Sequence, residues 1–386
     1  MIMFHENIHA HGLLHYYFKN KQIDGLYGSV ALRSFAESFI AIFVPIYLLG
    51  LGFSIQNIAL YFLVYLTTAV FCFPFGLTSN SKIGIKKTMG VGIIILILGY
   101  LLLNYLSSGN IHYLFVAFIF GISTAFYWSG FHLEFSKFSD KKKEASEISM
   151  LNILAIIAGA IGPVLGAIFI SKISFNFLFL VVSSLLLLSI APLFFTKDTK
   201  TKYKFSLKET LRADTKRKAM AYQAGAVLGI TNGIFWPVFI FLTLKNVLSL
   251  GIIITATSII TIIFLFFIGR LSDKHKYKIL KIGVFSHSFS WLTRLLFLTP
   301  IGIFLNNLYS SLSSSMINLP FGKIVYERSK KVKDASTYFL FREFHIAIGR
   351  IVILSVVILM GSIFWLFIIS FFVTFVYSVL FRKTKK

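Results

Sequence analysis

The sequence predicts an all-α integral membrane protein of twelve transmembrane helices in two pseudo-symmetric six-helix bundles, and three observations carry that prediction. The first is composition. Of 386 residues, 57% are hydrophobic and 13% charged, with a mean hydropathy of +0.82, an apolar excess that no soluble domain of this size needs and that lipid-facing helices require. The second is a series of twelve apolar runs, each of the roughly 20 residues that a helix needs to cross about 30 Å of hydrocarbon. The third is an internal echo. Glu134-Phe135-Ser136-Lys137 and Glu327-Arg328-Ser329-Lys330 each close a hydrophobic stretch, 193 residues apart, which is half the chain. Lys143-Glu144-Ala145-Ser146 is answered in turn by Lys333-Asp334-Ala335-Ser336 after a three-residue gap. Self-similarity at a fixed offset marks a duplicated unit.

Taken in order, residues 1–27 form a cytoplasmic N-terminal segment. It has no long apolar h-region and no evident cleavage site. Its histidines, His5, His9, His11 and His15, read as a tail at the membrane surface, not a metal site. The first bundle, 28–196, holds spans at 28–50, 56–77, 88–107, 111–134, 148–171 and 174–196. A basic cytoplasmic linker, 197–218, follows; within it Ser206-Leu207-Lys208-Glu209 has the Ser-x-x-Glu pattern of a capped helix start. The second bundle, 219–382, holds spans at 219–244, 249–270, 279–299, 302–326, 336–360 and 362–382, and 383–386 is a cytoplasmic tail. Lipid offers no partners for backbone N–H and C=O groups, so these runs are predicted as helices.

The formal charge of +24 is distributed over alternate loops: Lys82 to Lys87, Lys141 to Lys143, Lys197 to Lys218, Lys274 to Lys281, Lys330 to Lys333 and Arg382 to Lys386. This is the positive-inside pattern, and it places both termini in the cytoplasm of a multi-pass cell-membrane protein. It also argues against a nucleic-acid partner, because anionic lipid accounts for the basic residues. The single cysteine, Cys72, lies in an apolar run, which excludes a disulfide framework and a cysteine-based metal centre. No metal or other cofactor is expected. The outer connections, such as Ser107-Ser108-Gly109-Asn110, are too short to hold a site, so function is expected inside the bundle.

Charges within hydrocarbon are costly and therefore functional candidates. Arg33 and Glu37 lie four residues apart in span one and share a face; Arg342, Glu343 and Arg350 lie in span eleven, where the seven-residue spacing puts Glu343 and Arg350 on one face. Glu37 and Glu343 are the acids best placed to take up a proton, although structural ion pairing explains the same charges equally well. Glu134 and Glu327, nearer the interface, are assigned to a gate or cap. Span four offers Tyr127, Trp128 and His132, span seven Asn232, Trp236 and Pro237, with Pro45 echoing Pro237 in span one, and span ten Tyr309, Ser311, Ser314 and Asn318. The i, i+4 pairs Trp128 with His132 and Asn232 with Trp236 form aromatic and polar faces suited to a small organic solute, or to helix–helix hydrogen bonding.

Gly269-Arg270-Leu271-Ser272-Asp273-Lys274, at the cytoplasmic end of span eight, resembles the loop signature of the major facilitator superfamily; 193 residues earlier its place is taken by Gly76-Leu77-Thr78-Ser79-Asn80, with Asn80 in the acid's place. Gly162-Pro163-Val164-Leu165-Gly166-Ala167 in span five resembles the Gly-Pro-x-x-Gly-Gly motif of the superfamily's exporters, a hinge or packing element. The resemblance implies a secondary active transporter without enzymatic activity, working by alternating access on a small-molecule substrate. Spans one, four, seven and ten then face the cavity, protons are the implied drive, and the chain works as a monomer in the lipid bilayer. It further implies that Asp273 latches the cytoplasmic gate against span five, near Arg328, with Gly76 and Gly269 allowing close helix approach. Proton-coupled export leads; a nutrient importer or facilitator of the same fold is the alternative. A lipid-modifying membrane enzyme is disfavoured because Asp-x-Asp, His-x-x-x-x-Asp and Gly-x-Ser-x-Gly are all missing, and a transport-dead sensor remains the other rival.

Overall fold

A computed structural model describes residues 21–138, 151, 154–203, 206–329, 331–332 and 334–381. Helix α1 (Lys21–Ser38) and helix α2 (Val44–Gly50) make up span one. Spans two, three and four are α3 (Ile55–Lys82), α4 (Ile85–Leu106) and α5 (Tyr113–Phe138). Span five ends in α6 (Gly162–Lys172), and span six is α7 (Phe175–Ile190) with a 3₁₀ turn at Ala191–Phe195. The linker carries a short helix, α8 (Leu207–Leu211), whose first turn is capped by Ser206 Oγ accepting from the Glu209 amide at 3.4 Å.

Span seven is α9 (Lys216–Ile230), a π turn at Thr231–Phe235 and α10 (Trp236–Leu244). Spans eight and nine are one long element, α11 (Val247–Thr293), folded at His275, where φ −134° and ψ 44° leave the helical region. Spans ten and eleven are α12 (Pro300–Ser329) and α13 (Ala335–Met360); span twelve is α14 (Phe364–Thr374) extended by 3₁₀ residues Phe375–Leu380. Eight of the described helices are long and apolar enough to cross a membrane. The broken span one, the part of α11 after its kink, the serine- and asparagine-rich α12 and the shorter span twelve are consistent with the remaining four passes.

Two prolines explain two interruptions. Pro45 and Pro237 stand in the first turns of α2 and α10. A proline has no N–H for the carbonyl four residues back and crowds that turn. The chain answers with a non-helical turn at Phe39–Phe43 in span one and the π turn in span seven. The opening helix of each half is therefore broken near its middle, at equivalent places.

The halves meet along span two against span eleven and span five against span eight. Small residues set the second contact. A Cβ on Gly251 of span eight would stand 2.6 Å from the Pro163 carbonyl oxygen, and a Cβ on Gly162 or Gly166 would collide with Ser38 or with the Phe39 carbonyl of span one. The Val164 amide also donates to Thr255 Oγ1 across the halves at 3.1 Å. Gly162, Pro163 and Gly166 thus tie span five to the break in span one and to span eight together.

Candidate functional site

Two adjoining cavities lie inside the bundle. The larger, of about 760 Å³, is walled by spans seven to twelve, with Ile42 from the break in span one. The smaller, of about 350 Å³, lies among spans one, four, five, ten and eleven; Asn318, Gly322, Tyr326 and Arg342 line both.

The π turn of span seven shapes the larger cavity. π bulges inside α-helices recur at functional sites because the inserted residue re-aims its neighbours. Here Asn232 sits in that turn, on the cavity, and accepts a hydrogen bond from Arg294 Nη2 at 2.6 Å. A guanidinium only donates, so Oδ1 faces Arg294 and both Nδ2 hydrogens are left for the cavity. Trp236 donates Nε1–H to Asn307 at 2.8 Å, and Asn307 donates to Thr257 at 3.0 Å, so the wall is a fixed hydrogen-bonded network. Ser311, Ser314 and Asn318 line the same space. Tyr309 does not: it is exposed and donates to the Ser286 carbonyl at 2.9 Å. Two helix positions rotate a side chain by about 200°, so a face carrying Ser311 excludes Tyr309.

Arg294, at the end of span nine, is the residue that sequence reasoning missed. It is 1% exposed, with its Cζ 4.0 Å from the Trp291 ring centroid and 4.3 Å from that of Trp236. Nη2 also reaches Ser310 Oγ, while Nε and Nη1 have no hydrogen-bond partner among the described residues. The one available signal was its departure from the positive-inside pattern. His287, one turn before Trp291, lines the cavity as well and contacts Ser313 and Ser290.

The smaller cavity gathers the first-half candidates. Arg33 donates to Glu37 at 3.1 Å and lies with its Cζ 3.5 Å from the Tyr127 ring centroid. Trp128 stacks near His132 at a centroid distance of 5.6 Å on the same helix face. His132 is the meeting point of the halves: Arg342 Nη1 donates to its Nε2 at 3.1 Å, Phe339 stacks on it at 4.7 Å, and Glu343 Oε1 lies 4.0 Å away. With Nε2 accepting from an arginine, the proton belongs on Nδ1, which donates to Tyr326 Oη at 3.4 Å. Glu343 pairs with Arg342 at 2.6 Å, not with Arg350, which makes no ion pair among the described residues and lines the larger cavity instead. The seven-residue spacing shared a face but spanned too great a distance, since two turns of helix rise about 10 Å.

The gate candidates are placed differently from expectation. Glu134 pairs with Lys86 at 3.5 Å across spans three and four, and Glu327 with Lys276 at 2.9 Å across spans nine and ten. The repeated glutamates are thus equivalent ion pairs, each internal to its own half. Arg328 pairs with Asp214 just before α9, at 3.4 Å. The Asp273 side chain lies outside the described residues. Gly76 does permit close approach, but to span four of its own half, whereas among the described residues nothing lies within 4 Å of a Cβ on Gly269.

Residues 26–224 match the family model described as Major Facilitator Superfamily. Over 250 residues, 61% of this chain, the sequence is 25% identical to the uncharacterized protein YqgE of Bacillus subtilis (strain 168), and the match spans 58% of that protein's length. The fold is similar to the crystal structure of the human organic anion transporter MFSD10 (TETRAN), with a TM-score of 0.64 and 14% identity, covering 92% of this chain and 99% of that one.

Proposed function

The chain belongs to the Major Facilitator Superfamily, and we propose that it is a proton-coupled exporter that carries a small organic solute across the cell membrane by alternating access. It is a multi-pass membrane transporter and not an enzyme; the solute, the coupling ion and the direction are the proposal. The observation that carries the proposal is the larger cavity of about 760 Å³, which lies near the junction of the halves and is lined by polar and aromatic groups. Ligand pockets of roughly 300–1,000 Å³ suit drug-sized molecules. In this reading the moving units are residues 28–196 and 219–382, joined by the linker 197–218, with 1–27 and 383–386 as cytoplasmic ends of a monomer. The basic loops support that orientation.

Proton coupling is assigned to the groups that join the halves at His132. Protonating Glu343 removes the charge that holds Arg342, and protonating His132 turns its acceptor nitrogen into a donor facing a guanidinium. Either event weakens the contact between span four and span eleven, so opening the gate follows protonation. Glu37, bonded to Arg33 on the smaller cavity, is the second carrier. Export is favoured by the exporter-like Gly162-Pro163-x-x-Gly166 segment, which ties spans one, five and eight at one point.

The test uses purified protein in liposomes loaded with a pH-sensitive dye. A panel of naphthalenes bearing a sulfonate, a neutral sulfonamide or a trimethylammonium group is added under an imposed pH gradient. At least one solute is expected to move protons against its own flux, and Glu343→Gln to abolish coupled accumulation while sparing exchange between two loaded pools. Solute movement without proton flux defeats the coupling, and accumulation by right-side-out but not inverted vesicles reverses the direction.

A further inference from the structure

Among the described residues, the larger cavity is lined by three arginines, Arg294, Arg342 and Arg350, and by no aspartate or glutamate. Arg342 is neutralised by Glu343 at 2.6 Å. Arg294 and Arg350 have no carboxylate within ion-pairing distance among the described residues. An uncompensated charge inside the bilayer is costly, and removing one partner of a buried pair typically destabilises a protein by several kcal/mol. A protein that keeps two such charges on one cavity holds a standing deficit of negative charge there.

We infer that the larger cavity is a binding site for an organic anion with an aromatic or apolar body, the anion supplying the negative charge that Arg294 and Arg350 lack there. This rests on the transporter reading and adds the substrate class to it. The two arginines have different parts. Arg350 is half-buried on the cavity wall and makes no hydrogen bond among the described residues, so its guanidinium is the group available to the acid. Arg294 is sheathed by Trp236 and Trp291 and is a positioning residue. By donating to Asn232 Oδ1 it turns the Asn232 amide so that Nδ2 faces the cavity as a donor, and it holds a fixed positive charge behind that donor. The hydroxyls of Thr257, Ser311 and Ser314 supply neutral hydrogen bonds around the same space. Low local dielectric strengthens each of these contacts relative to water. A cationic solute meets the same field as repulsion, so the site discriminates by sign.

The experiment measures binding to purified full-length protein in detergent by titration calorimetry, with thermal shift as the second readout. The probes are 1-naphthalenesulfonate, its neutral sulfonamide and the trimethylammonium analogue, which share one body and differ in charge. The sulfonate is expected to bind at least tenfold more tightly than the sulfonamide and the ammonium compound not at all. In Arg350→Gln and Arg294→Met that ratio is expected to fall to near one, and Arg350→Lys, which keeps the charge, is expected to retain most of it. The ratio in the unmodified protein tests the inference even if a variant fails to fold. A ratio of one or below in the unmodified protein overturns it, as does no sulfonate binding, or an unchanged ratio in both charge-removing variants. The transport reading fails separately: a sulfonate that binds selectively yet never crosses a proteoliposome membrane leaves the anion site standing without the transporter, whereas a neutral or cationic solute that binds and crosses in its place leaves the transporter without the anion site.

Discussion

Arg33 in the first half and Arg294 in the second are both almost wholly buried, and each lies against aromatic rings, yet they are neutralised in opposite ways. Arg33 has a carboxylate of its own, Glu37, one helical turn away at 3.1 Å. Arg294 has two tryptophans, an asparagine and a serine, and among the described residues no acid. A buried charge with an internal counterion is a closed structural unit that changes only when a proton reaches it. A buried charge without one stays open to whatever anion enters. In the proposed mechanism this difference gives the two halves different parts: Arg33 and Glu37 form a closed pair that answers to protons, and Arg294 serves the anion site.

The same division shows in the repeated glutamates, where the largest effects are expected. Lys86 and Glu134 have side-chain exposures of 2% and 0%, against 24% and 38% for Lys276 and Glu327. Lys86 is also bonded to Thr196 of span six and its backbone amide to Asp198, so this pair pins three spans at one end of the first half. Glu134→Gln strands a buried ammonium and is expected to lower stability by about 3 kcal/mol, while Glu327→Gln stays within about 1 kcal/mol, as exposed pairs do. Thermal unfolding of the two variants in one detergent measures the contrast, and equal losses would erase it.

Next in size is the arginine pair. Glu37→Gln leaves Arg33 uncompensated and is expected to lower stability by about 2 kcal/mol, less than a fully buried pair because Glu37 is 32% exposed to the cavity. Adding Arg33→Met to Glu37→Gln should recover most of the loss, since an apolar stem in place of an ion pair is often neutral. Arg294→Met removes a charge that has no carboxylate partner among the described residues and keeps an apolar stem between the two tryptophans. Its melting temperature is therefore expected to hold or rise even as anion binding is lost. A fall comparable to that of Glu37→Gln would show that Arg294 is structural and close the distinction between the halves.

Much of this was legible in sequence, for reasons that are local. The spans follow from run length and the linker helix from Ser206 and Glu209; Pro45 and Pro237 stood out as an echo, but the breaks beside them were not predicted. Asn232 and Trp236 share the cavity because four residues nearly complete a turn. The rest depends on contacts between helices distant in sequence. Glu134 and Glu327 were recognisable as equivalent, but their partners Lys86 and Lys276 stand on other spans, so a gate across the halves and an ion pair within each looked alike. Arg294 was hidden because its tryptophan sandwich draws on spans seven and nine together. Tyr309 was misplaced because polarity alone, without the helical phase, does not say which face meets the cavity.

The smallest effects test the duplicated loop motif, and here the halves differ in sign. A Cβ on Gly76 would stand 2.8 Å from the Ala125 carbonyl oxygen and closer still to Ser129 Oγ, so Gly76→Ala has to push span two away from span four. Overpacking of that kind costs about 1–3 kcal/mol. It also disturbs Asn80, the buried residue in the place of the motif's acid, which donates to the same Ser129 hydroxyl at 3.3 Å. Around Gly269 nothing among the described residues lies within 4 Å of the added methyl. In a helix interior alanine is preferred over glycine by about 0.5–1 kcal/mol, so Gly269→Ala is expected to stabilise by a few tenths to 1 kcal/mol. Paired thermal melts should therefore move in opposite directions. Destabilisation by Gly269→Ala would mean that span eight needs the glycine for an approach made in another state of the transport cycle, which would restore the close-packing role that the sequence motif assigned to it.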